Sequence, residues 1–236
     1  MNPNCSVHAP FFEIGPKSYL YGDDIIALAK AADKASEKYR VDVIFTTPFT
    51  EIRRVKEATK HLHVFAPHMD PIRPGRGLAD ILPEAVKAAG AEGVMLNHNE
   101  RPLSIGVLRE TILRADELGL TTIVCADSSV EAGMIARLNP DIIVAEPSEL
   151  IGTGITSGPE YAKAAISAVT SVNPDILVLL AAGISGGKDV YDTIMSGADA
   201  TGSSSAIAKA ADFDEVADEM IGAVRRAWDE RHAVKQ

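Results

Sequence analysis

Short apolar runs alternate along the chain with longer segments in which apolar residues recur at helical spacing. The short runs predict buried β-strands, and the longer segments predict amphipathic helices. The predicted strands are Phe11–Ile14, Val41–Phe45, Leu62–Ala66, Gly93–Leu96, Thr122–Cys125, Ile142–Ala145, Ile176–Leu180 and Gly197–Thr201. The predicted helices are Ile25–Tyr39, one that starts at Pro48, Ala79–Ala89, Ser104–Leu118, Ser129–Leu138, Pro159–Val172, Lys188–Met195 and Phe213–Arg231.

The alternation of strands with helices indicates an α/β protein with a parallel sheet, because a helix carries the chain back between two parallel strands. Eight such units with no element left over favour a closed, eight-stranded parallel (β/α)8 barrel. An open, doubly wound sheet is the competing arrangement. No linker or low-complexity tract divides the sequence, so we expect residues 1–236 to form a single domain.

Composition narrows the possible functions. Apolar residues make up 46% of the chain, enough for a large core, and the formal net charge is −10. An acidic chain without a basic cluster is a poor candidate for binding nucleic acid or an anionic membrane. Cys5 and Cys125 have neither disulfide nor zinc spacing, and the start does not resemble a signal peptide. No apolar run approaches the roughly 20 residues of a membrane helix, so we expect a cytoplasmic protein.

Candidate catalytic residues follow three of the predicted strands. Lys17 comes after the first strand, His98 after the fourth and Glu146 after the sixth. Taken singly, Lys17 would be an ordinary surface lysine and Glu146 a solvated or capping glutamate, while His98 could equally be structural or catalytic. In a barrel of this type, however, the carboxyl ends of all strands meet at one rim, where the chemistry takes place. Apolar neighbours would disfavour the charge on Glu146 and raise its basicity, which suits a general base.

Two Gly/Ser-rich loops follow the seventh and eighth strands. They contain Gly183 in one case and Ser204 and Ser205 in the other, and each opens a helix. Backbone N–H groups at such helix starts can bind a phosphate group, although tight turns with N-caps would have the same composition. The glycines of Gly152–Gly154 do not have dinucleotide-motif spacing, so we do not expect nicotinamide binding.

A histidine-rich segment surrounds the third strand. His61, His63, His68 and Asp70 could bind a metal ion, as in metal-dependent barrel enzymes, and His61 and His63 are spaced to share one face of the strand. The alternative is a polar loop that packs against a neighbouring subunit.

Several longer motifs resemble those of the triosephosphate isomerase family, most closely its shorter, archaeal-type form. The motifs are Leu96-Asn97-His98 followed by Glu100, the segment Val144–Gly154, Ala182–Ser185, His68–Gly75 and Leu82–Ala85. The resemblance runs from about Ile14 to Lys209 and implies a TIM barrel. It also implies an isomerase that interconverts glyceraldehyde 3-phosphate and dihydroxyacetone phosphate, works without a cofactor or metal, and forms a homodimer or homotetramer.

The resemblance implies a role for each site residue. Glu146 would be the base, His98 the electrophile that polarises the carbonyl, and Lys17 the source of positive charge. Glu100 would pair with that lysine. Ile151 and Gly152 would belong to the mobile loop that closes over the phosphate, and Gly183, Ser204 and Ser205 would supply phosphate-binding N–H groups.

The sequence departs from the family pattern after the first strand. The family has Asn-x-Lys there, whereas this chain has Gly15-Pro16-Lys17, so a carboxamide donor near the substrate is missing. This departure leaves open another small sugar phosphate, such as a tetrulose phosphate, as the substrate. The strand-3 histidines leave open a metal-dependent barrel lyase, and a non-catalytic phosphate-binding barrel is a further alternative.

Overall fold

A computed structural model describes residues 5–150, 153 and 156–233. Its eight strands are β1 (Phe11–Ile14), β2 (Asp42–Thr46), β3 (Leu62–Ala66), β4 (Gly93–Leu96), β5 (Thr121–Ala126), β6 (Ile142–Ala145), β7 (Leu177–Leu180) and β8 (Ala200–Ser203). The α-helices are α1 (Gly22–Tyr39), α2 (Ile52–Ala58), α3 (Pro83–Ala88), α4 (Ile105–Leu118), α5 (Ser129–Ala136), α6 (Pro159–Thr170), α7 (Gly187–Met195), α8 (Ser205–Ala208) and α9 (Phe213–Ala233). Short 3-10 helices cover Phe49–Glu51 and Ser148–Leu150.

The strands form one closed, all-parallel barrel in sequence order. Closure comes from β1, which pairs with β2 on one side and with β8 on the other; Ile14 lies opposite Phe45 and Ser203. The predicted (β/α)8 barrel is therefore confirmed, and the open, doubly wound sheet is excluded. Within the described residues, no helix is both long enough and apolar enough to cross a bilayer.

Element boundaries differ from the prediction where turn chemistry decides them. Helix α3 begins at Pro83 rather than near Ala79, because the residue before a proline is forced out of the helical region. Strand β8 begins at Ala200 rather than Gly197, because Gly197 has φ 113° and forms the turn after α7. Helix α8 was not predicted, since four residues are too few to show a helical period.

Two apolar layers fill the molecule on either side of the strands. Successive side chains on a strand point to opposite faces, so Phe11 faces the barrel interior whereas Phe12 and Ile14 face the helices. The interior layer consists of Val7, Phe11, Ile44, Phe65, Ile123, Cys125, Ile142, Val144, Leu177, Leu179 and Ala200. The barrel is therefore a packed core, and open space for chemistry is left at its ends.

The amino-terminal end of the barrel carries a paired set of charges around His63. Its Nδ1 lies 2.8 Å from Glu92 Oε2 and its Nε2 lies 3.6 Å from Asp42 Oδ2. Burial opposes protonation of His63, but the hydrogen bonds with Asp42 and Glu92 outweigh it and raise its pKa to about 9. His8 adds a backbone N–H to Asp42 Oδ2 at 2.8 Å. These contacts are typical of a group that stabilises the fold.

The predicted histidine cluster does not assemble. His61 lies before β3 and approaches Glu37 at 3.7 Å, while His68 lies beyond β3 and contacts Asp70 at 3.2 Å. His63 has its own partners, as described above. Among the described residues, no group of three or more His, Cys, Asp or Glu side chains could hold a metal ion.

We expect His63→Gln to destabilise the fold in a pH-dependent manner. The folded pKa of about 9 lies above the unfolded value of 6.5, so the stabilisation is complete below pH 6.5 and is lost as the pH rises through 9. The free energy of unfolding should fall by about 2 kcal/mol at pH 6, the usual cost of losing a hydrogen bond to a charged group. Urea denaturation at pH 6 and pH 10 measures this loss.

The exposed His61 offers a matched control. His61→Gln removes only the long contact with Glu37 and should leave the unfolding free energy unchanged at both pH values. An equal loss for His63→Gln at both pH values would contradict the assigned charge on His63.

Candidate active site

Lys17, His98 and Glu146 lie at the carboxyl-terminal mouth of the barrel. Lys17 follows β1, His98 follows β4 and Glu146 directly follows β6. Because all strands are parallel, these positions share one rim, and electrostatic coupling links them further. The charge of Lys17 acts on both His98 and Glu146. The structure thus brings together the three side chains that the sequence singled out.

Lys17 is held by an ion pair with Glu100. The Lys17 Nζ lies 2.9 Å from Glu100 Oε1, and the hydrogen bond from Lys17 lowers the pKa of Glu100. Lys17 has φ 47°, a left-handed conformation that is uncommon for a lysine. Its side chain is only 26% exposed, whereas that of Glu100 is 63% exposed. The ammonium group is therefore fixed at the mouth rather than free on the surface.

The hydrogen bonds of His98 determine its tautomer. The backbone N–H of Glu100 donates to His98 Nδ1 at 3.1 Å, so Nδ1 carries no proton and the ring proton lies on Nε2. Burial and the nearby charge of Lys17 both lower the pKa of His98. The imidazole is therefore neutral near pH 7 and presents Nε2–H as a donor.

Asn97 positions His98 at the end of β4. Its side-chain amide donates to the carbonyl of Cys125 on β5 at 3.0 Å and accepts from the N–H of Leu103 at 2.9 Å. Asn97 has φ 57°, and asparagine tolerates this left-handed conformation better than most residues. The backbone therefore turns sharply just before the imidazole.

Glu146 has the environment of a general base. Its backbone N–H donates to the carbonyl of Ala126 at 3.0 Å, which keeps it in line with β5. Burial raises the pKa of Glu146, although the charge of Lys17 and a hydrogen bond from the Ala182 backbone N–H favour its ionised form. A carboxylate with raised basicity at a partly dry mouth can abstract a weakly acidic proton.

The predicted phosphate residues lie at the ends of β7 and β8. Gly183 follows β7 with φ 69°, and Ser204 precedes the first residue of α8, Ser205. The Ser204 hydroxyl oxygen is buried and has no hydrogen-bond partner within residues 5–150, 153 and 156–233. By contrast, the N–H of Gly187 at the start of α7 donates to Glu219 Oε1 at 2.8 Å, so this helix start is already capped.

The loop after β6 is described only in part. Ile151 and Gly152, the predicted loop residues, lie outside the described residues. Before them, the Ser148 N–H donates to Asp127 Oδ1 at 2.6 Å and the Leu150 N–H donates to the carbonyl of Pro147 at 3.0 Å. These two contacts fix the chain between Glu146 and the loop.

Glu13 and Cys125 belong to the same mouth and were not predicted. Glu13 is an interior residue of β1 that is 8% exposed, and desolvation raises its pKa to about 7. Cys125 lies on β5, where burial and the charges of Glu146 and Glu13 raise its pKa well above its ordinary value. For Glu13 the sequence did contain a signal: it is a lone acidic residue within a buried apolar strand.

Comparison with known proteins identifies similar sequences. A family model described as triosephosphate isomerase matches residues 17–220. Triosephosphate isomerase from Saccharolobus solfataricus is 36% identical over 223 residues, covering 92% of this chain and 97% of that protein. Triosephosphate isomerase from Methanocaldococcus jannaschii is 36% identical over 203 residues, covering 85% and 92%. The archaeal likeness inferred from the motifs is confirmed.

We expect nitrogen-15 NMR of histidine-labelled protein to detect His98 at pH 7 as a neutral ring protonated on Nε2. Its titration midpoint should lie below the ordinary histidine range, and Lys17→Met should raise it by removing the ammonium charge. A proton on Nδ1, or a midpoint unaffected by Lys17→Met, would contradict this geometry.

Proposed function

The chain belongs to the triosephosphate isomerase family, and we propose that Glu146, His98 and Lys17 carry its reaction. It is an aldose–ketose isomerase that interconverts glyceraldehyde 3-phosphate and dihydroxyacetone phosphate. The observation that supports the residue roles best is the position of Lys17, whose charge acts on both the histidine and the glutamate across one mouth.

Glu146 is the proposed base. Isomerisation moves one proton from the carbon beside the carbonyl to the neighbouring carbon, and one carboxylate can serve both of these carbon steps. A second proton passes from the hydroxyl oxygen to the former carbonyl oxygen, so the product is an isomer of the substrate. The raised pKa of Glu146 makes it a stronger base than an exposed carboxylate, and a stronger base removes a weakly acidic proton more readily. The family resemblance implies that neither a cofactor nor a metal is required.

His98 and Lys17 are the proposed stabilisers of the enediolate. Proton removal places negative charge on the carbonyl oxygen, and the Nε2–H of a neutral His98 can donate to it. This pairing of a carboxylate base with a neutral imidazole is the family's known scheme. Lys17 adds an ammonium charge for the enediolate and the phosphate, and Glu100 keeps it in place.

Substrate phosphate is proposed to bind at the ends of β7 and β8. The N–H groups of Gly183, Ser204 and Ser205 are the candidates, and the unpaired Ser204 hydroxyl supports a ligand there. We assign Ile151 and Gly152 to the loop that closes over this group by family resemblance. Closure would exclude water, and exclusion protects an enediolate phosphate from eliminating its phosphate.

Self-association and a cytoplasmic location are also proposed. The loop between β3 and α3 carries Leu78, which is fully exposed, and such a side chain suits burial against another subunit. Family resemblance implies a homodimer or a homotetramer. Cys5 and Cys125 are both free thiols, as is usual in a reducing compartment. Partners other than the phosphorylated sugar, such as nucleic acid or membrane, are not expected.

We expect Glu146→Gln to lower kcat for glyceraldehyde 3-phosphate by about 10³-fold, since it removes the base. Glu146→Asp withdraws the carboxylate by about 1 Å and should cost about 10²-fold. KM should change little in either variant, because the phosphate contacts remain. Coupled assays in both directions measure these effects.

Glu160→Gln is the matched control, because Glu160 is exposed on α6 and should be silent. An unchanged rate in Glu146→Gln would show that the base is misassigned. Assays on tetrulose phosphates in parallel test whether Gly15 admits a longer substrate; a kcat/KM for such a sugar above that for the trioses would contradict the stated reaction.

A further inference from the structure

Glu13 lies on the inner face of the barrel, directly below the catalytic mouth. Phe11 belongs to the interior layer, and Glu13, two residues later on the same strand, faces the same way. It is the interior residue of β1 nearest the carboxyl end of the strand. The proposed mechanism makes no use of it.

Two glycines make room for the Glu13 carboxyl group. A Cβ at Gly15 would lie 3.1 Å from Glu13 Oε1, and a Cβ at Gly202 would lie 3.0 Å from Glu13 Oε2. The carboxyl group therefore fills the space beside Gly15, the position at which the family has its asparagine. The family match begins at Lys17, so Glu13 and Gly15 both precede the matched segment.

Part of the Glu13 carboxyl group is buried away from any strong hydrogen-bond partner. Among the residues that the structure describes, its buried Oε1 has no hydrogen-bond partner, and neither has the nearby buried hydroxyl of Thr46 on β2. Thr46 lies close enough to favour the ionised form of Glu13, but the two groups do not form a hydrogen bond of normal geometry. An unpaired buried carboxyl oxygen costs free energy, and a ligand oxygen would recover it.

The surroundings of Glu13 keep its carboxyl group protonated up to about pH 7. Desolvation and the charge of Glu146 raise its pKa, and together with the lowering effects of Thr46 and Lys17 they place it at about 7. The titratable groups that face it are Glu146 from β6, Lys17 from the loop after β1, and the thiol of Cys125 from β5. A neutral carboxylic acid can donate a hydrogen bond, as a carboxamide does.

We propose that Glu13 contacts the substrate and donates a hydrogen bond from its carboxyl group to a substrate oxygen. It would thereby replace the family asparagine, whose position is occupied by Gly15 in this chain. This inference rests on the proposed function of the site. The exchange moves the donor from the residue after the strand to the strand itself, while the donor still reaches the same mouth. Glu13 is thereby a substrate-binding residue of this chain that the family motif does not contain.

Three variants test the proposal. Glu13→Ala removes the donor and should lower kcat/KM for glyceraldehyde 3-phosphate by about 10²-fold, mainly through kcat, as the loss of an oxyanion donor does. Glu13→Gln keeps a donor of the same shape and should stay within about tenfold of the parent chain. The double variant Glu13→Ala/Gly15→Asn restores the family donor, and its kcat/KM should be at least about tenfold higher than that of Glu13→Ala.

The pH profile separates a donor from a merely structural group. As the pH rises through about 7, Glu13 ionises, loses its donor proton and repels the enediolate, so kcat/KM of the parent chain should fall. In Glu13→Gln this alkaline decline should disappear, because an amide does not titrate. Glu13→Gln should melt at or above the parent temperature, since replacing an unpaired buried carboxyl group removes a desolvation cost.

Parallel measurements distinguish the failure of this proposal from failure of the function. Calorimetric binding of 2-phosphoglycolate, a phosphorylated carboxylate that mimics the enediolate charge, should weaken about 10²-fold in Glu13→Ala. Suppose that the parent chain turns over trioses and that Glu146→Gln does not. If Glu13→Ala then has the same kcat/KM as the parent chain, the Glu13 proposal alone is overturned. A Glu13→Gln profile that keeps the alkaline decline overturns it as well. A parent chain that neither turns over trioses nor binds the analogue overturns the proposed function and this inference with it.

Discussion

The ammonium group of Lys17 is the charge on which the rest of the mouth depends. Glu146 and Glu13 are both largely buried, and two carboxyl groups in such a place repel each other. Lys17 favours the ionised form of both and disfavours protonation of His98. One cation therefore helps to keep the base ionised and the imidazole neutral, whereas at Glu13 desolvation and the charge of Glu146 outweigh it and favour the protonated donor. Glu100 fixes that cation in space.

Backbone strain is concentrated at the same mouth. Lys17, Asn97 and Ala182 all have positive φ values, and they follow β1, β4 and β7 respectively. For a lysine or an alanine this conformation costs of order 1 kcal/mol, which the surrounding barrel must offset. Each strained residue sits at or beside a group with a proposed role: the ammonium itself, the imidazole of His98, and the carboxylate of Glu146 that Ala182 contacts.

The sequence predicted the barrel well because its signals are repetitive. Strand–helix alternation indicated the closed sheet, and β1, β3, β4 and β6 match their predicted bounds. The mouth was predictable where a polar residue comes within three positions of the end of a strand, as Lys17, His98 and Glu146 do. Glu13 was not predicted as a site residue because an apolar run does not show which side chains of a buried parallel strand face the barrel interior. The tautomer of His98 could not be predicted from the sequence because it depends on one hydrogen bond, which the backbone N–H of Glu100 donates.

The two ends of the barrel differ in whether their buried polar groups are paired. At the amino-terminal end, His63 is paired with Glu92 and Asp42, and its charge is satisfied within the fold. At the carboxyl-terminal end, oxygens of Glu13 and Ser204 are buried with no hydrogen-bond partner in the described part of the chain. A folded chain tolerates such groups only where something else repays their desolvation. Stability thus explains the pairing at one end, and the proposed substrate, with its oxygens and phosphate, would supply partners at the other.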